Sequence, residues 1–580
     1  MARSDELQDA LVIPVPEDPG LILDSCRRLL GPNLYGVGPG AVGDCLVNSQ
    51  EPADVVALWR GNLAPILDAL GLAGAKVQTR PFDGGASLFV PAPIDQLFTT
   101  AYAIEAAWYF TATGLLGQAQ KPFDDLATAL RRVSALERQP RLVSLVAEAA
   151  KRGVDRLLDD DALTLGHGAG SETWATDRLP EAPDWARLHD IPLALVTGTN
   201  GKTTTTRLIA AMGAASGKVA GLSSTEFVKV GDEILDRGDY SGPAGARLLL
   251  RDKRLELGVL EVARGGILRR GLPVSRARVA VVTNVAADHL GQYGINTVPD
   301  LAQVKLSVRR AVVPGGQLVL NADAPVLVAA ADLTDARPIW FSLDASTPQI
   351  VRARAQGVPC GWLEDGRVVL SDGAGATSLV AVGDVPLTLG GAARYNIENA
   401  LAAALAARGL GLPDDAIRSV LRNFRSDPVD NPGRANEFSV NGARVFVDFA
   451  HNPHSIAAVT SALAALPARR RFALISHAGD RSDADIRALT QGLFALKPDT
   501  VVVAEITAYL RGRQTGEIPA LIRQASRECG LPDDHILSAT SPLDGAKQIV
   551  ERLEPGDLAL LLVHDERAAI FEMLGSRISS

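Results

Sequence analysis

A glycine-rich segment at residues 195–210, "LVTGTNGKTTTTRLIA", carries the residue types best suited to holding a phosphate group. Gly198 and Gly201 allow the backbone to turn sharply and to approach a ligand closely. A helical pattern begins at Lys202, so free N–H groups at the helix start would face an anion. The ammonium of Lys202 adds a positive charge, and the hydroxyl of Thr203 can bind Mg²⁺. The segment predicts a nucleotide phosphate site, with an ordinary glycine-rich turn as the alternative.

Acidic and imidazole side chains follow two other apolar runs. Glu261 ends the predicted strand "LGVLEVA" (257–263), and Asp288 and His289 follow the predicted strand "RVAVVTNV" (278–285). Groups at the carboxyl ends of parallel strands meet at one edge of a sheet, where α/β proteins bind ligands. We therefore expect a magnesium–nucleotide site there, although single residues of this kind are often solvated loop groups.

The elements that must position these residues are strands alternating with helices. From Ile191 to about Asn423 the alternation predicts a mostly parallel sheet with helices on both faces. A second alternation follows "DPVDNPGR" (427–434), and residues before about 175 mix apolar and helical segments. The predicted fold class is α/β, with a central P-loop parallel-sheet ATPase domain, a C-terminal Rossmann-like α/β domain and a separate α+β N-terminal domain. The predicted domains are residues 1–175, for substrate binding or assembly, 190–425, which bind ATP, and 432–580.

Composition excludes several classes of protein. The 580 residues are 47% hydrophobic and 22% charged, as in ordinary globular proteins, and the net charge is −9. An acidic balance argues against general binding to nucleic acid or anionic membranes. The four cysteines are scattered, which suggests neither a zinc site nor a disulfide framework. Without a signal-peptide or membrane-span pattern, the expected location is the cytoplasm.

Several further segments resemble the Mur ligase family, the ATP-dependent ligases that form amide bonds. Beside the glycine-rich loop, the similar segments are "TNVAADHLG" (283–291), "ARYNIENALAAALA" (393–406), "NPGR" (431–434) and "VDFAHNP" (447–453). They occur in the family's order over residues from about 190 to 580. Tyr395 stands where the family usually has histidine.

A closer resemblance is to the Mur-like half of the cyanophycin synthetases. "LEVARGGILRRGL", "HAGDRSDADIRAL" and "AYLRGRQTGEIP" are similar to segments of those enzymes. The ATP-grasp domain that precedes this half in them is not expected here, because the phosphate loop follows too soon. "SSTEFVKVGDEI" (223–234) also departs from the expected turn. The resemblance implies one of two ligase activities, with the substrate left open.

The resemblance implies roles for the residues at matching positions. It implies contacts to ATP from Thr199, Asn200, Gly201, Lys202, Thr203, Thr204, Asn396, Arg434 and Asp448. It implies metal binding by Thr203, Glu261 and His289, and catalytic roles for Lys202, Lys305 and His289. It implies substrate binding by His451, Asp480, Arg481, Arg511 and Arg513, for the last four of which a surface charge cluster is the alternative.

Lys305 has a special position in this set. Several family members carry a carbamylated lysine at this point, which would turn a cation into an anion near the metal. The alternative is an exposed helix lysine, since lysines are mostly at the surface.

The resemblance implies a carboxylate–amine ligase that uses ATP and Mg²⁺ and proceeds through an acyl phosphate. The expected substrates are an acidic amino acid or peptide and an amino acid, with no nucleic-acid or membrane partner, and a homo-oligomer is possible. Another P-loop NTPase or kinase, and a catalytically inactive scaffold derived from a ligase, remain alternatives.

Overall fold

A computed structural model describes residues 3–48, 50–332 and 337–576. The chain divides into two compact units. Unit 1 comprises residues 1–285, 289–340 and 404–413, and unit 2 comprises residues 286–288, 341–403 and 414–580.

The N-terminal part of unit 1 is built on a 4-stranded antiparallel sheet in the order β1-β2-β4-β3. Helices α2 and α3 pack against each other, and α3 packs on β1 and β2 around the buried rings of Trp59 and Trp108. The elements are α1 (Arg3–Gln8), β1 (Leu21–Leu29), β2 (Gly40–Val47), α2 (Pro52–Ala69), β3 (Gln78–Phe82), β4 (Gly85–Pro91), α3 (Leu97–Leu115), α4 (Phe123–Glu137) and α5 (Pro140–Lys151).

A small antiparallel sheet follows this region in the chain. It consists of β5 (Arg156–Leu158), β6 (Ala162–Leu165) and β7 (Glu172–Ala175). The side chain of Asp155, just before β5, accepts hydrogen bonds from the backbone N–H groups of Ser275 (2.8 Å) and Arg276 (3.0 Å). These bonds attach the small sheet to residues 275–276 in the central part of unit 1.

The central part of unit 1 contains the predicted parallel sheet. The strands stand in the order β11, β10, β9, β12, β8, β13, β14, and those from β9 to β14 are parallel neighbours. The elements are β8 (Leu193–Thr197), α6 (Lys202–Ala215), β9 (Ala220–Ser223), β10 (Phe227–Val230), β11 (Glu233–Arg237), α7 (Pro243–Leu250), β12 (Leu257–Glu261), α8 (Arg264–Arg270), β13 (Ala277–Val282), α9 (Val298–Leu306), β14 (Val312–Asn321) and α10 (Pro325–Ala331). The chain passes into unit 2 within β15 (Ile339–Ser342).

Unit 2 begins with a short antiparallel group of strands and continues with the C-terminal sheet. The first elements are α11 (Pro348–Ala355), β16 (Cys360–Glu364), β17 (Arg367–Ser371), β18 (Ala376–Ala381), α12 (Arg394–Gly409) and α13 (Asp414–Asn423). The last residues of α12 belong to unit 1.

The C-terminal sheet has 6 strands in the order β19-β20-β24-β21-β22-β23. All neighbours from β20 to β23 are parallel, and β19 is antiparallel to β20. The elements are β19 (Asn436–Val440), β20 (Ala443–Asp448), α14 (Pro453–Ala464), β21 (Arg471–Ile475), α15 (Asp483–Leu493), β22 (Thr500–Ala504), α16 (Glu517–Glu528), β23 (Ile536–Ala539), α17 (Pro542–Val550), β24 (Leu558–Leu562) and α18 (Arg567–Ser576).

The predicted α/β class and the strands assigned from apolar runs are confirmed. The central strands β8, β12 and β24 have buried residues on both faces, which explains why their sequences are continuous apolar runs rather than alternating patterns. In the described part of the chain, no helix is long and apolar enough to cross a membrane. The domain boundaries near residues 175–190 and 425–432 stay predictions.

Candidate functional site

The phosphate loop leaves β8 at the centre of the unit 1 sheet. Gly198 has φ +153° and Gly201 has φ +81°, so both occupy backbone conformations that disfavour a side chain. A Cβ at Gly198 would also overlap the hydroxyl of Thr283. Helix α6 begins at Lys202, directly after Gly201, as the pattern predicted. The first N–H groups of α6 thus border a turn whose conformation favours glycine.

Two residues after β13 hold this loop in shape. Asn284 accepts hydrogen bonds from Thr199 N through its carbonyl (2.9 Å) and from Asn200 N through its Oδ1 (2.9 Å). Thr283 Oγ1 donates to Asn200 O at 2.6 Å. The sequence predicts no role for Thr283 or Asn284, although both lie at the end of the predicted strand 278–285 and in the segment resembling the family. Because β13 lies beside β8, Thr283 and Asn284 reach the loop.

The predicted metal ligands Thr203 and Glu261 meet at the start of α6. Thr203 Oγ1 donates to Glu261 Oε2 at 3.0 Å, and both residues are buried. The backbone N–H of Thr225 also points to this carboxylate at 3.4 Å. Glu261 is brought here because β12 lies beside β8, with Glu261 opposite Val196. A hydroxyl and a carboxylate oxygen at this spacing are a donor set suited to Mg²⁺.

The two predicted lysines bond to carbonyl groups of the phosphate loop. Lys202 Nζ donates to Thr199 O at 2.8 Å, and Lys305 Nζ donates to Gly198 O at 2.8 Å. Lys305 is 4% exposed, so the alternative of an exposed helix lysine is wrong. Thr204, in the first turn of α6, is also buried. Two ammonium groups therefore lie against the backbone that would surround a phosphate.

His289 lies on the loop that follows β13 and has the left-handed φ of 49°. Its carbonyl accepts a hydrogen bond from Arg264 Nη1 at 2.6 Å, and Arg264 Nη2 donates to Gln292 Oε1 at 3.2 Å. Arg264 is the first residue of α8, three positions after Glu261 in the chain. This arginine fixes the backbone of His289 and the side chain of Gln292, but the position of the His289 ring as a metal ligand stays a prediction.

Strand β3 of the N-terminal region supports the same loop. Arg80 Nη2 donates to Tyr293 O at 3.1 Å and to Gly294 O at 2.8 Å. A Cβ at Gly294, whose φ is +63°, would overlap the ring of Phe82. The guanidinium of Arg27 lies 4.5 Å over the Tyr293 ring. No sequence pattern predicted these contacts, which join residues more than 200 positions apart.

In unit 2, Asp448 ends β20 and is buried. Its two oxygens accept hydrogen bonds from Ala435 N (2.7 Å) and Ala450 N (2.6 Å). Burial raises the pKa of Asp448 to about 6, against the opposing effect of the Arg434 guanidinium. Burial also raises the pKa of Tyr395, the residue at the family's histidine position, with a further contribution from the Asp448 charge.

Asn396 is also buried in unit 2. Its Nδ2 donates to Leu387 O at 2.9 Å, and its Oδ1 accepts from Asn399 Nδ2 at 3.0 Å. Both ends of the amide are thus fixed by neighbours. A nucleotide contact through this side chain stays a prediction.

Three histidines lie near the carboxyl ends of β20, β21 and β24. His564 contacts Ala450 O through Nε2 (3.0 Å) and Ser476 O through Nδ1 (3.2 Å), and His451 Nδ1 contacts Phe449 O at 2.9 Å. The rings of His477 and His564 stack with centroids 6.3 Å apart. Burial lowers the pKa of His451 to about 4, and lowers the pKa of the other two histidines as well. Only His451 was predicted, although each of the three follows an apolar strand in the sequence.

The remaining predicted substrate residues lie after β21 and β22. Arg513 donates to Gly479 O at 3.0 Å and to Arg481 O at 2.6 Å, and pairs with Asp483 at 2.8 Å and Glu517 at 2.6 Å. These contacts favour a structural role for Arg513 in joining two loops. Asp480 and Arg511 are exposed, and the Arg511 guanidinium lies 5.5 Å from the Tyr509 ring centre.

Comparisons with known proteins agree with this architecture. A family model described as Mur ligase middle domain matches residues 196–407, and one described as Mur ligase, glutamate ligase domain matches residues 433–562. Among solved structures, "E.coli FolC in complex with ADP, without folate substrate" aligns with TM-score 0.51 and 21% identity over 67% of this chain and 90% of that chain. That likeness shows the fold.

Two curated relatives show the extent of the similarity. Cyanophycin synthetase of Synechocystis sp. is 39% identical over 364 residues, which are 62% of this chain and 41% of that protein. The UDP-N-acetylmuramoyl-L-alanyl-D-glutamate–2,6-diaminopimelate ligase of Geobacter sulfurreducens is 27% identical over 452 residues, which are 72% of this chain and 83% of that protein. The matched region thus spans less than half of the cyanophycin synthetase. Through its middle domain and its glutamate ligase domain, the chain belongs to the Mur ligase family.

Proposed function

We propose that this chain is an ATP-dependent ligase that joins a carboxylate to an amine. The observation that carries the proposal is the meeting of Thr203 and Glu261 at the start of α6, under a glycine loop held by Lys202 and Lys305. Such a site suits the phosphates of ATP with a divalent cation. The similarity to ligases in both matched domains supports amide formation as the reaction.

The donor set fits Mg²⁺ because Thr203 and Glu261 offer hard oxygen ligands, and His289 is proposed to complete the set. When bound, the ion would neutralise charge on the phosphates of the nucleotide. The ammonium of Lys202 is proposed to leave Thr199 O and contact the transferring phosphoryl group. There it would stabilise charge that develops in the transition state.

The proposed reaction has two steps. A carboxylate oxygen of the acyl substrate bonds to the γ-phosphorus, and the bond to the β-phosphate oxygen breaks, which gives an acyl phosphate and ADP. The neutral amine then bonds to the acyl carbon, phosphate leaves with the electron pair of the C–O bond, and the amine nitrogen loses a proton to an acidic group or water. Exclusion of water matters because the acyl phosphate hydrolyses readily.

The residues of unit 2 have proposed roles on both sides of this reaction. Arg434, Asp448 and Asn396 are proposed to contact the nucleotide. His451 and Arg481 are proposed to contact a substrate, together with Asp480 and Arg511, whereas Arg513 is proposed to keep their loops in position. The proposed substrates are an acidic amino acid or peptide and an amino acid, in the cytoplasm.

We further propose that the chain forms one amide bond per acceptor carboxylate. The described residues contain a single glycine loop of the nucleotide-binding type, after β8. One such loop supports one ATP hydrolysed per bond, rather than the alternating activation that a two-amide polymer requires.

The test is incubation of the purified protein with ATP, Mg²⁺, acidic peptides and a panel of amino acids. ADP and phosphate are quantified, and the products are weighed by mass spectrometry. We expect ADP, phosphate and an amide in equal amounts, with no product from Lys202→Ala. ADP release with a phosphorylated product would favour a kinase, and nucleotide binding without turnover on any substrate would favour an inactive scaffold. A long polymer from free amino acids would contradict the single-activity proposal.

A further inference from the structure

A cleft in unit 1, separate from the phosphate loop, is lined by three arginines. Arg156, Arg247 and Arg270 line it together with the backbone and apolar groups of Leu30, Gly31 and residues 272–275. The cleft contains about 370 Å³ of space, part of it open to solvent. We call it the arginine cleft.

The arginine cleft lies at a distance from the proposed metal ligands. Arg270 is the last residue of α8, a helix of 7 residues that starts three positions after Glu261. At about 1.5 Å per residue, the helix alone separates its two ends by roughly 10 Å. The cleft is therefore a different site from the one that would hold the phosphates of ATP.

Positive charge exceeds negative charge around the cleft. Arg247 Nε lies 3.4 Å from Asp159, and that carboxylate is shared with Arg251 at 2.8 Å. Nearby, Arg28 lies 3.7 Å from the exposed Asp160. In the described part of the chain, the side chain of Arg270 has no ion pair with a carboxylate. The guanidiniums of Arg28, Arg156, Arg247, Arg251 and Arg270 thus face three aspartates, which are Asp155, Asp159 and Asp160.

The remaining donors are held in place by the surrounding backbone. Arg156 Nη2 donates to Leu30 O at 3.1 Å, and Nη1 donates to Ser275 Oγ at 3.3 Å. Leu30 N in turn donates to Arg270 O at 2.9 Å, which ties the N-terminal region to the end of α8. Burial lowers the pKa of Arg156 and Arg247, and the charge of Arg270 adds to the effect on Arg247. Concentrated, partly desolvated positive charge of this kind is relieved when an anion binds.

We propose that the arginine cleft binds an oxyanion, either a carboxylate or a phosphate group. The planar fork of a guanidinium matches two oxygens of such a group. Arg247 and Arg270 bring two such forks to the cleft, and Arg156 holds its wall through the bonds to Leu30 O and Ser275 Oγ. The proposal does not depend on the ligase reaction, because none of these residues belongs to the phosphate loop. The oxyanion has two possible sources, which are free phosphate and the terminal carboxylate of an acidic peptide.

The test is isothermal titration of the full chain, saturated with ADP, with inorganic phosphate. A second titration uses an aspartate tripeptide with either a free or an amidated C-terminus. Arg270→Gln and Arg247→Gln each remove one guanidinium from the cleft. Arg269→Gln is the matched control, because Arg269 is the exposed neighbour of Arg270 on α8 and does not line the cleft. Loss of a charge-assisted contact should weaken binding about tenfold or more. Arg269→Gln should change it less than about twofold.

If Arg270→Gln and Arg247→Gln weaken the binding of phosphate and neither peptide binds, free phosphate is the ligand. If they weaken the binding of the peptide with a free C-terminus and the amidated peptide does not bind, the ligand is a terminal carboxylate. Equal affinities for the wild type, Arg270→Gln and Arg247→Gln would overturn the proposal, as would an equal loss in Arg269→Gln. Arg270 is exposed, so its substitution should leave the fold intact and keep the test interpretable. Any phosphate that still reaches the nucleotide loop contributes equally in all variants.

Discussion

Replacement of Lys305 by methionine should loosen the phosphate loop without opening a cavity. Methionine has a similar length and fills the buried space, but it cannot donate the 2.8 Å hydrogen bond to Gly198 O. The loss of a donor to a buried carbonyl costs about 1–3 kcal/mol of unfolding free energy. Lys305→Ala should cost about 2 kcal/mol more, because about three buried CH₂ groups at ~0.8 kcal/mol each are also removed.

Urea unfolding and ADP titration of the two variants measure these effects. Lys253→Met, at an exposed position of the same unit, is the control and should stay within about 0.5 kcal/mol of the wild type. If Lys305→Met unfolds at the wild-type midpoint and binds ADP with unchanged affinity, the ammonium does not hold the loop. If Lys305 is carbamylated, short carboxylates should partly restore the activity of Lys305→Ala. The mass of the wild-type protein should then include one bound CO₂.

Three other predictions concern the loop, its support and the C-terminal sheet. Lys202→Ala should abolish turnover and leave the fold intact, because one electrostatic contact to a transferring phosphoryl group is worth about 3–4 kcal/mol; near-wild-type rates would contradict the assignment. Arg80→Met should speed hydrogen exchange around Gly294 and destabilise unit 1 by about 1–3 kcal/mol, whereas unchanged exchange would show that β3 does not support this loop. The free energy of unfolding of unit 2 should fall as the pH drops below about 6.5. The fold keeps the pKa of His477 and His564 low, so the unfolded chain binds protons at these residues first and is stabilised relative to the fold. Exchange of β20, β21 and β24 measured against pH tests this expectation, and His477→Gln should flatten the dependence.

Much of the nucleotide site could be predicted because its elements are local in sequence. Gly198 and Gly201 lie between an apolar run and a helical pattern, and that order alone predicts a strand, a tight turn and a helix start. Glu261 follows a run of buried strand residues, so its place at the carboxyl edge of a parallel sheet was also predictable. Short-range pattern suffices here because it decides which residues are buried and where each strand ends.

The long-range contacts of the site could not be predicted in this way. Lys305 meets Gly198 O across 107 positions, and Arg80 meets Gly294 O across 214 positions. Thr283 reaches the loop because β13 is the neighbour of β8, and His564 meets Ala450 O because β24 is the neighbour of β20. Strand order of this kind is decided by the packing of whole sheets. The pattern shows that a polar side chain will be buried, but the tertiary structure decides which carbonyl group it meets, because a buried donor must pair with whatever acceptor the packed core brings within reach.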